Sequence, residues 1–410
     1  MSRNPQKTLT RRTFCASVAA AALTRTLPAR ADSPTPYNLI ARTDRNRILR
    51  AAALYLKIQP QTITSFPAPA SSEESGGPET PLSPHDFYSQ ADYFWPDPAN
   101  PTGPYLSRDG QSNPNIFHGH RQAMIALSIQ MPALTAAWLL TRNQRYAQHA
   151  ADHLRAWFLS LATRMNPNLQ YAQAVHGAFP GRSYGIIDTL HLVEVARAAS
   201  LLPAFLTPAE RATLNAWFRD YLDWLQSSKP GVEERNATNN HAACWSLQAA
   251  EYARLIDDEP TRAHLRTQLK TILLPNQMAP NGSFPKELAR TKPYSYSIFN
   301  FDVMATLCQS LSTPTEDLFA FQLSDGRGIC QAAAFLFPYL EDKTSWPYKK
   351  DVEHFDILPV RSPGLLFCGL ACHHQPYIKL WQHLNPDPTD PEIIRNCPIR
   401  QPILWFAPPT

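Results

Sequence analysis

Residues 185–202 read GIIDTLHLVEVARAASLL, and after Pro203 residues 207–226 read TPAERATLNAWFRDYLDWLQ. The first run spaces its apolar side chains as an amphipathic helix does. Pro203 ends it. The second run carries its own start signal. Thr207 suits an N-cap, Pro208 the first helical position, and Glu210 completes a capping box. Ser227-Ser228-Lys229-Pro230-Gly231 stops it. The pattern is two helices joined by a short Pro-containing turn.

The same pattern extends both ways. Helical spacing covers 44–58, 119–140, 143–162, 238–256, 260–274, 298–312 and 327–341. No alternating strand series and no Gly-rich phosphate loop interrupts it. Successive helices with short turns predict stacked helical hairpins. A curved ring of them is an all-α (α/α) toroid, an incomplete barrel whose inner helix ends line a cleft. No motif recurs at fixed period, which argues against a short-repeat solenoid. No linker breaks the pattern, so residues 32–410 are expected to form one domain. The segment after Glu341 is Pro-rich and is expected to be irregular and to pack back across the ring.

The N-terminus reads as an export signal. Thr10-Arg11-Arg12-Thr13-Phe14 is a twin-arginine signature, an apolar run spans Cys15 to Leu23, and Ala29-Arg30-Ala31 offers a cleavage site. Residues 1–31 are therefore expected to be removed, leaving a periplasmic or secreted monomer. No other stretch looks long enough to span a bilayer, so no membrane contact is expected afterwards. The signal also distorts the charge. The chain has 38 Lys+Arg against 34 Asp+Glu. Residues 1–31 hold six of the basic residues (Arg3, Lys7, Arg11, Arg12, Arg25, Arg30) and no acid, which leaves 32 against 34, a net −2. A global basic surface for nucleic acid is thereby excluded. An anionic ligand must instead meet a local cluster of cations. Six cysteines follow the signal, and buried free thiols are the expected state for those in apolar helical runs.

Residues 65–84, SFPAPASSEESGGPETPLSP, have a composition that cannot form a packed element. They precede the aromatic run Asp86-Phe87-Tyr88-Ser89-Gln90-Ala91-Asp92-Tyr93-Phe94-Trp95-Pro96. A lid over a cleft, at 65–90, is one reading of this placement.

Two segments carry the chemistry. One is Thr238-Asn239-Asn240-His241-Ala242-Ala243-Cys244-Trp245. The other is Pro285-Lys286-Glu287-Leu288-Ala289-Arg290-Thr291-Lys292-Pro293-Tyr294-Ser295-Tyr296, running into Phe299-Asn300. They offer an amide, an imidazole, a guanidinium and a phenol. That set suits abstraction of a proton alpha to a carboxylate. Asn240, His241 and Arg290 can neutralise the carboxylate and stabilise an enolate. Tyr296 can transfer protons, its phenolate favoured by a nearby cation such as Arg290. Such an elimination cleaves a uronic-acid polymer without water, metal or cofactor. Each residue also has a structural reading: Asn239 suits an N-cap, and a tyrosine in an aromatic-rich segment commonly packs. Tyr294 competes with Tyr296 for the catalytic phenol. Tyr88, Tyr93, Trp95 and Trp346 can stack on sugar rings, and Arg182, Lys286 or Lys292 can meet further carboxylates. His118 and His120 read as structural. Cys368, Cys372, His373 and His374 lack zinc-like spacing and read as incidental.

Asn239-Asn240-His241 with Trp245, Glu287-Leu288-Ala289-Arg290, and Tyr296 with Phe299-Asn300 together resemble the alginate-lyase-like superfamily of polysaccharide lyases. So do His85-Asp86-Phe87-Tyr88, Asp92 to Pro98, Gly181-Arg182 with Gly185-Ile186-Ile187, and Ser345-Trp346-Pro347. The resemblance spans roughly residues 40–367. It includes family 5 alginate lyases and family 38 lyases acting on glucuronan and alginate. It implies an α/α toroid and β-elimination on an anionic polysaccharide. It also implies that Asn240, His241 and Arg290 neutralise the uronate, that Tyr296 is the acid and often the base, and that His241 is the alternative base. The spacing of Arg290 and Tyr296, followed by Ser297 rather than His-Asn, is similar to family 38. Tyr184 is a bulky residue where a small one is expected. Two other readings stay open: an α/α-toroid glycoside hydrolase using a pair among Asp92, Asp97, Asp188 and Glu287, and a non-catalytic binder of acidic oligosaccharides.

Overall fold

Helices dominate residues 35–69 and 82–408, the parts of the chain that the computed structural model describes. The export segment and the middle of the candidate lid, 70–81, lie outside those residues. By its contacts the chain separates into residues 1–35 and Pro36–Thr410, and the helices and strands of the described residues lie in the second unit.

In chain order the helices are α1 (Pro36–Tyr55), α2 (Gly119–Thr141), α3 (Gln144–Leu154), α4 (Leu192–Ala199), α5 (Pro208–Ser227), α6 (Lys229–Arg235), α7 (Asn240–Leu255) and α8 (Glu259–Gln268). Then come α9 (Leu274–Gln277), α10 (Pro285–Leu288), α11 (Pro293–Leu311), α12 (Ile329–Glu341), α13 (Pro363–Ala371), α14 (Gln375–His383) and α15 (Pro391–Arg395). Helices α2, α4, α7, α11 and α13 pack each on the next and form the inner wall. Outside them, α3 packs on α2, α5 and α8 on α7, α12 on α11, and α14 on α13. This is an (α/α) toroid.

Burial explains which helix goes where. In α11 every residue except Asp302 and Gln309 is buried, as an inner helix touched on all sides requires. In α5 only a stripe is buried, Leu214, Trp217, Phe218, Tyr221, Leu222 and Leu225, so it sits outside. The predicted capping box of α5 is present: Glu210 N–H donates to Thr207 Oγ1, and Thr207 N–H to Glu210 Oε2. Asn239 caps α7, its Oδ1 accepting from His241 N–H.

Four expectations need correction. The run 185–202 is not one helix. Residues Ser183–Thr189 form 3-10 turns, and only Leu192–Ala199 is α-helical. Gly185 lies so close to Ala172 that a Cβ there would sit 2.4 Å from the alanine methyl, and long-range side-chain bonds hold Asp188 and Thr189. Helix α11 begins at Pro293, not 298, because the Asp351 carboxylate accepts from Tyr294 N–H (2.8 Å) and Ser295 N–H (2.9 Å). The tail after Glu341 contains α13, α14 and α15. It does return to the start of the ring: Glu194 on α4 accepts from Arg400 N–H, Gln401 N–H and Trp405 Nε1–H. Lastly, Cys330 on α12 and Cys372, just past α13, form a disulfide. That removes Cys372 from its metal-like run, while Cys244, Cys308 and Cys368 are buried free thiols. Among the described residues no group of three or more His, Cys, Asp or Glu side chains could hold a metal.

Helix α2 is long and apolar enough to cross a membrane by length and composition, against expectation, but most of it is buried against neighbouring helices. Strands are few among the described residues. β1 (Tyr88–Gln90) pairs in parallel with β4 (Tyr171–Ala174), and β2 (Phe94–Trp95) pairs antiparallel with β3 (Leu106–Ser107). Both small sheets contribute to the wall of the cleft.

Candidate active site

A cavity of about 520 Å³ opens where the first turns of α7 and α11 meet β2, β4 and the end of α15. Asn240, His241, Arg290 and Tyr296 all line it, as do Tyr93, Arg182 and Tyr184.

Local folding supplies each group. The first turn of α7 holds Asn240 and His241. Helix α10 brings Glu287 to that helix N-terminus, where an acid is favourable. Glu287 accepts from Asn240 N–H (2.8 Å) and from Asn240 Nδ2 (2.7 Å). The amide is thereby oriented and keeps its second N–H. Burial raises the Glu287 pKa, and the two Asn240 bonds offset this only in part. Helix α6, packed on α7, brings Glu234 to 2.5 Å from His241 Nδ1. A carboxylate only accepts, so Nδ1 carries the hydrogen and Nε2 is the basic nitrogen of the neutral ring. Tyr184 packs edge-on against that ring, centroids 4.9 Å apart.

Arg290 donates to Asp109 from Nε (3.1 Å) and Nη2 (2.6 Å), and its guanidinium lies 4.5 Å from the Tyr296 ring. Burial disfavours its charge, but Asp109 and the neighbouring Tyr296 and Glu287 more than offset this, and its pKa lies above the ordinary value. Tyr296 Oη donates to Tyr93 Oη (3.1 Å), and Tyr93 Oη donates to Glu392 Oε1 (3.2 Å). Burial pushes the Tyr296 phenol up to about 12, against the pull of Arg290. Arg290 does favour the phenolate, as expected, but burial outweighs it, and in the free protein Tyr296 carries its proton at neutral pH. Burial would likewise raise Glu392, but Arg395 (2.8 Å) and Lys292 (2.9 Å) hold it at about 2.

Several expected ligand contacts lie elsewhere. Tyr88 is buried beneath Phe117. Trp95 donates Nε1–H to Gln111 O and stacks with Arg108 outside the cavity lining. Lys292 is 1% exposed, its charge taken by Glu353 and Glu392. Trp346 packs against Tyr294, Tyr339 and Tyr348. None of these four lines the cavity. Of the two rival phenols, Tyr296 lines the cavity, whereas Tyr294 Oη donates to Tyr339 O in the core, away from it. His120 is structural, with its ring nitrogens on Tyr88 N–H and Phe66 O.

The sequence reading missed Arg121, Arg395, Asp109 and Glu234. Arg395 ends α15, whose start was announced by Asp390-Pro391-Glu392, a cap, a proline and an early acid. Glu234 lies seven residues before His241 on α6, beyond the helix stop read at 227–231 and in a stretch assigned no element from sequence.

The three acids lining the cavity are bound to arginines: Asp92 to Arg121 and Arg395, Asp188 to Arg121, and Asp109 to Arg290. Glu287 is held by Asn240, and Asp97 caps its own turn. A hydrolase needs a protonated acid and a free base or nucleophile across the bond. Of the carboxylates considered for that role, Asp92 and Asp188 are ion-paired, Glu287 is held by Asn240, and Asp97 lies outside the cavity lining.

A family model described as alginate lyase matches residues 75–346. A search of curated proteins finds no match. Among solved structures, an alginate lyase from Bacteroides ovatus superposes with a TM-score of 0.75 at 28% identity, covering 92% of this chain and 94% of that one. Alginate lyase A1-III from Sphingomonas species A1 gives 0.54 at 13% identity, covering 88% and 95%. A variant of A1-III complexed with tetrasaccharide gives 0.56 at 15%, covering 91% and 96%. The last two bear on the fold alone. The family match extends over well more than half of the sequence and contains the cavity's amide, imidazole, guanidinium and phenol, so the chain belongs to the alginate lyase family and is a polysaccharide lyase.

Proposed function

We propose that the protein cleaves a polyuronate, alginate rich in mannuronate or glucuronan, by β-elimination, leaving 4,5-unsaturated uronate ends. The observation that carries this is the convergence of Asn240, His241, Arg290 and Tyr296 on one cavity in which every lining acid is already paired. The 28% identical Bacteroides ovatus structure, an alginate lyase, supports the same substrate class.

The mechanism follows from the geometry. The free N–H of Asn240 and the unbonded Nη1 of Arg290 receive the uronate carboxylate, which makes H5 acidic enough to remove, while His241, whose Nδ1–H is taken by Glu234, is left for proton transfer. Tyr296 is the acid: it gives its proton to O4 as the C4–O4 bond breaks and the electron pair from C5–H forms the C4=C5 double bond. The resting protonation state favours His241 Nε2 as base, because its lone pair is exposed by the Glu234 bond to Nδ1. Tyr296 can replace it only as a phenolate. With a pKa of about 12, ionising it at pH 7 costs on the order of 7 kcal/mol in the free protein. Where H5 and O4 leave from one face, as in mannuronate and glucuronate, a single tyrosine suffices, and bound substrate must then lower that cost.

The test is ultraviolet absorbance of the unsaturated product on glucuronan, polymannuronate, polyguluronate and a neutral glucan. Rise on one or more uronans is expected, with the Tyr296→Phe variant slower by about 10²–10⁴. New reducing ends without absorbance would overturn elimination.

We further propose that the protein is exported through the twin-arginine pathway and acts as a monomer outside the cytoplasm. The Cys330–Cys372 disulfide supports an oxidising compartment. N-terminal sequencing of the exported protein is expected to begin near Asp32. A retained leader would refute this.

A further inference from the structure

A second cavity, of about 500 Å³, opens at the other end of the inner wall. It lies where α4 and α7 finish, beside α5 and the returning tail. Asn240 and His241 begin α7, whereas Arg254 and Leu255 end it. At 1.5 Å of rise per residue the two cavities are about 20 Å apart. Three arginines line the second one: Arg197 on α4, Arg211 on α5 and Arg254 on α7. The buried Glu251 holds two of them. It accepts from Arg197 Nη2 (2.5 Å) and Arg254 Nε (3.0 Å), and Arg254 Nη2 donates to Ser200 Oγ (3.0 Å). The Arg197 guanidinium lies 4.3 Å from the Trp405 ring.

One carboxylate shared by two guanidiniums leaves a net positive charge in a partly buried place. Burial, with Arg254 and Arg262 nearby, lowers the Arg197 pKa to about 10 in spite of Glu251. Arg211 adds a third charge; it is exposed and has no ion pair among the described residues. Asp257 is the one acid among the described lining residues, and it pairs with none of the three. Cations are favourable near helix C-termini. Yet among the described residues neither Arg197 nor Arg254 bonds a helix carbonyl, so capping does not use them up. Each keeps an Nη1 that makes no hydrogen bond there and is open to solvent. Leu201, Leu206, Leu404 and Ala407 give the cavity an apolar side. Fixed guanidiniums beside an apolar wall match an anionic sugar, whose carboxylate projects from a ring with apolar C–H faces.

We propose that this cavity is a second, non-catalytic binding site for the polyuronate. Arg197, Arg254 and Arg211 receive the carboxylate of one uronate unit, and the apolar side receives its ring. A chain held there stays on the protein while another stretch of polymer enters the catalytic cavity, which raises the local concentration of substrate. This rests on the polyuronate reading above.

The test is calorimetric binding of mannuronate and glucuronate tetramers to the Tyr296→Phe protein, and to Tyr296→Phe carrying Arg211→Glu, Arg211→Lys or Arg254→Gln. Two tetramers per chain are expected to bind Tyr296→Phe. Arg211→Glu and Arg254→Gln are each expected to raise the Kd of one site roughly tenfold or more and to leave the other unchanged, as loss of a charge-assisted contact does. Arg211→Lys keeps both sites. Arg211 is exposed, so its variants should fold, and thermal unfolding checks this for all three. One tetramer per chain would overturn the proposal. So would two sites that both ignore Arg211→Glu and Arg254→Gln. Product absorbance from the unsubstituted protein reads the lyase assignment separately. An Arg211-dependent second site without unsaturated product would overturn elimination and leave this proposal standing. Unsaturated product with a single site would do the reverse, and neither binding nor product would overturn both.

Discussion

Glu234 shows how much of the chemistry depends on a side chain that never reaches the substrate. It is 2% exposed and sets which nitrogen of His241 carries hydrogen. Glu234→Gln keeps the shape but loses the charge that holds the ring. We expect kcat to fall about ten- to a hundredfold, part of what a positioned acid–base group contributes, with KM within a few fold. Steady-state kinetics on the uronan that gives the absorbance signal checks this, and an unchanged kcat would remove His241 from proton transfer. The pH profile separates the two possible bases. Tyr296 acting as the acid with His241 Nε2 as base gives activity that stays level from pH 8 to 10, since Tyr296 titrates only near its raised pKa of about 12. Activity rising tenfold per pH unit over that range would identify the phenolate as the active form. At this scale the sequence was informative where function needs a rare combination, as at Asn240-His241 and Arg290…Tyr296. It misled where charge or aromaticity alone was the signal. Lys292 and Trp346 look like ligand residues until the distant Glu392 and the local aromatic cluster are seen to occupy them.

Helix α11 carries the phenol, and its start is defined from outside itself. Asp351 lies more than fifty residues beyond Tyr294 and accepts the two orphan N–H groups of the first turn. Asp351→Ala is expected to cost about 1–2 kcal/mol of stability, as loss of an N-cap does. It should also lower kcat, because the freed first turn is the one that holds Tyr296. Urea unfolding together with kinetics reads both, and lost stability with unchanged kcat would show that Tyr296 is positioned by its neighbours rather than by the cap. This long-range cap is why the sequence placed the helix start at 298. Local caps were legible: Thr207 with Glu210, and Asn239. The 3-10 stretch Ser183–Thr189 was not, because its apolar spacing is helical while Thr189 and Asp188 are drawn out of register by Gln248 and Arg121.

For the whole molecule, helical hairpins and their direction were readable from periodicity and proline, but the closing segment was not. One of its attachments is a buried carboxylate, Glu194, meeting backbone N–H groups some two hundred residues away. Such groups also govern how stability responds to pH. Burial raises Glu194 and Asp302 to about 7 and Asp351 to about 6. An acid with a raised folded pKa gives stability that grows as pH falls from that value toward its unfolded one. Burial also lowers His120 to about 4, and His153 and His191 to about 3. A histidine with a depressed folded pKa does the opposite: below about 6.5 the unfolded chain takes up a proton that the folded chain does not, and stability falls. Glu287 is raised as well, and the two kinds of group oppose one another, so stability is expected to change little between about pH 7 and 4.5. His153 is the one to remove. It is 1% exposed, and neither ring nitrogen has a hydrogen-bond partner among the described residues. Its replacement by an apolar residue therefore leaves little unsatisfied. In His153→Leu the balance tips toward the carboxyls. The variant should gain on the unsubstituted protein by on the order of 1.4 kcal/mol per pH unit between pH 6 and 4.5. Urea unfolding at pH 7 and pH 5 measures the difference. A gap that does not widen at the lower pH would mean that His153 takes up its proton in the folded state, and that the level profile has another origin.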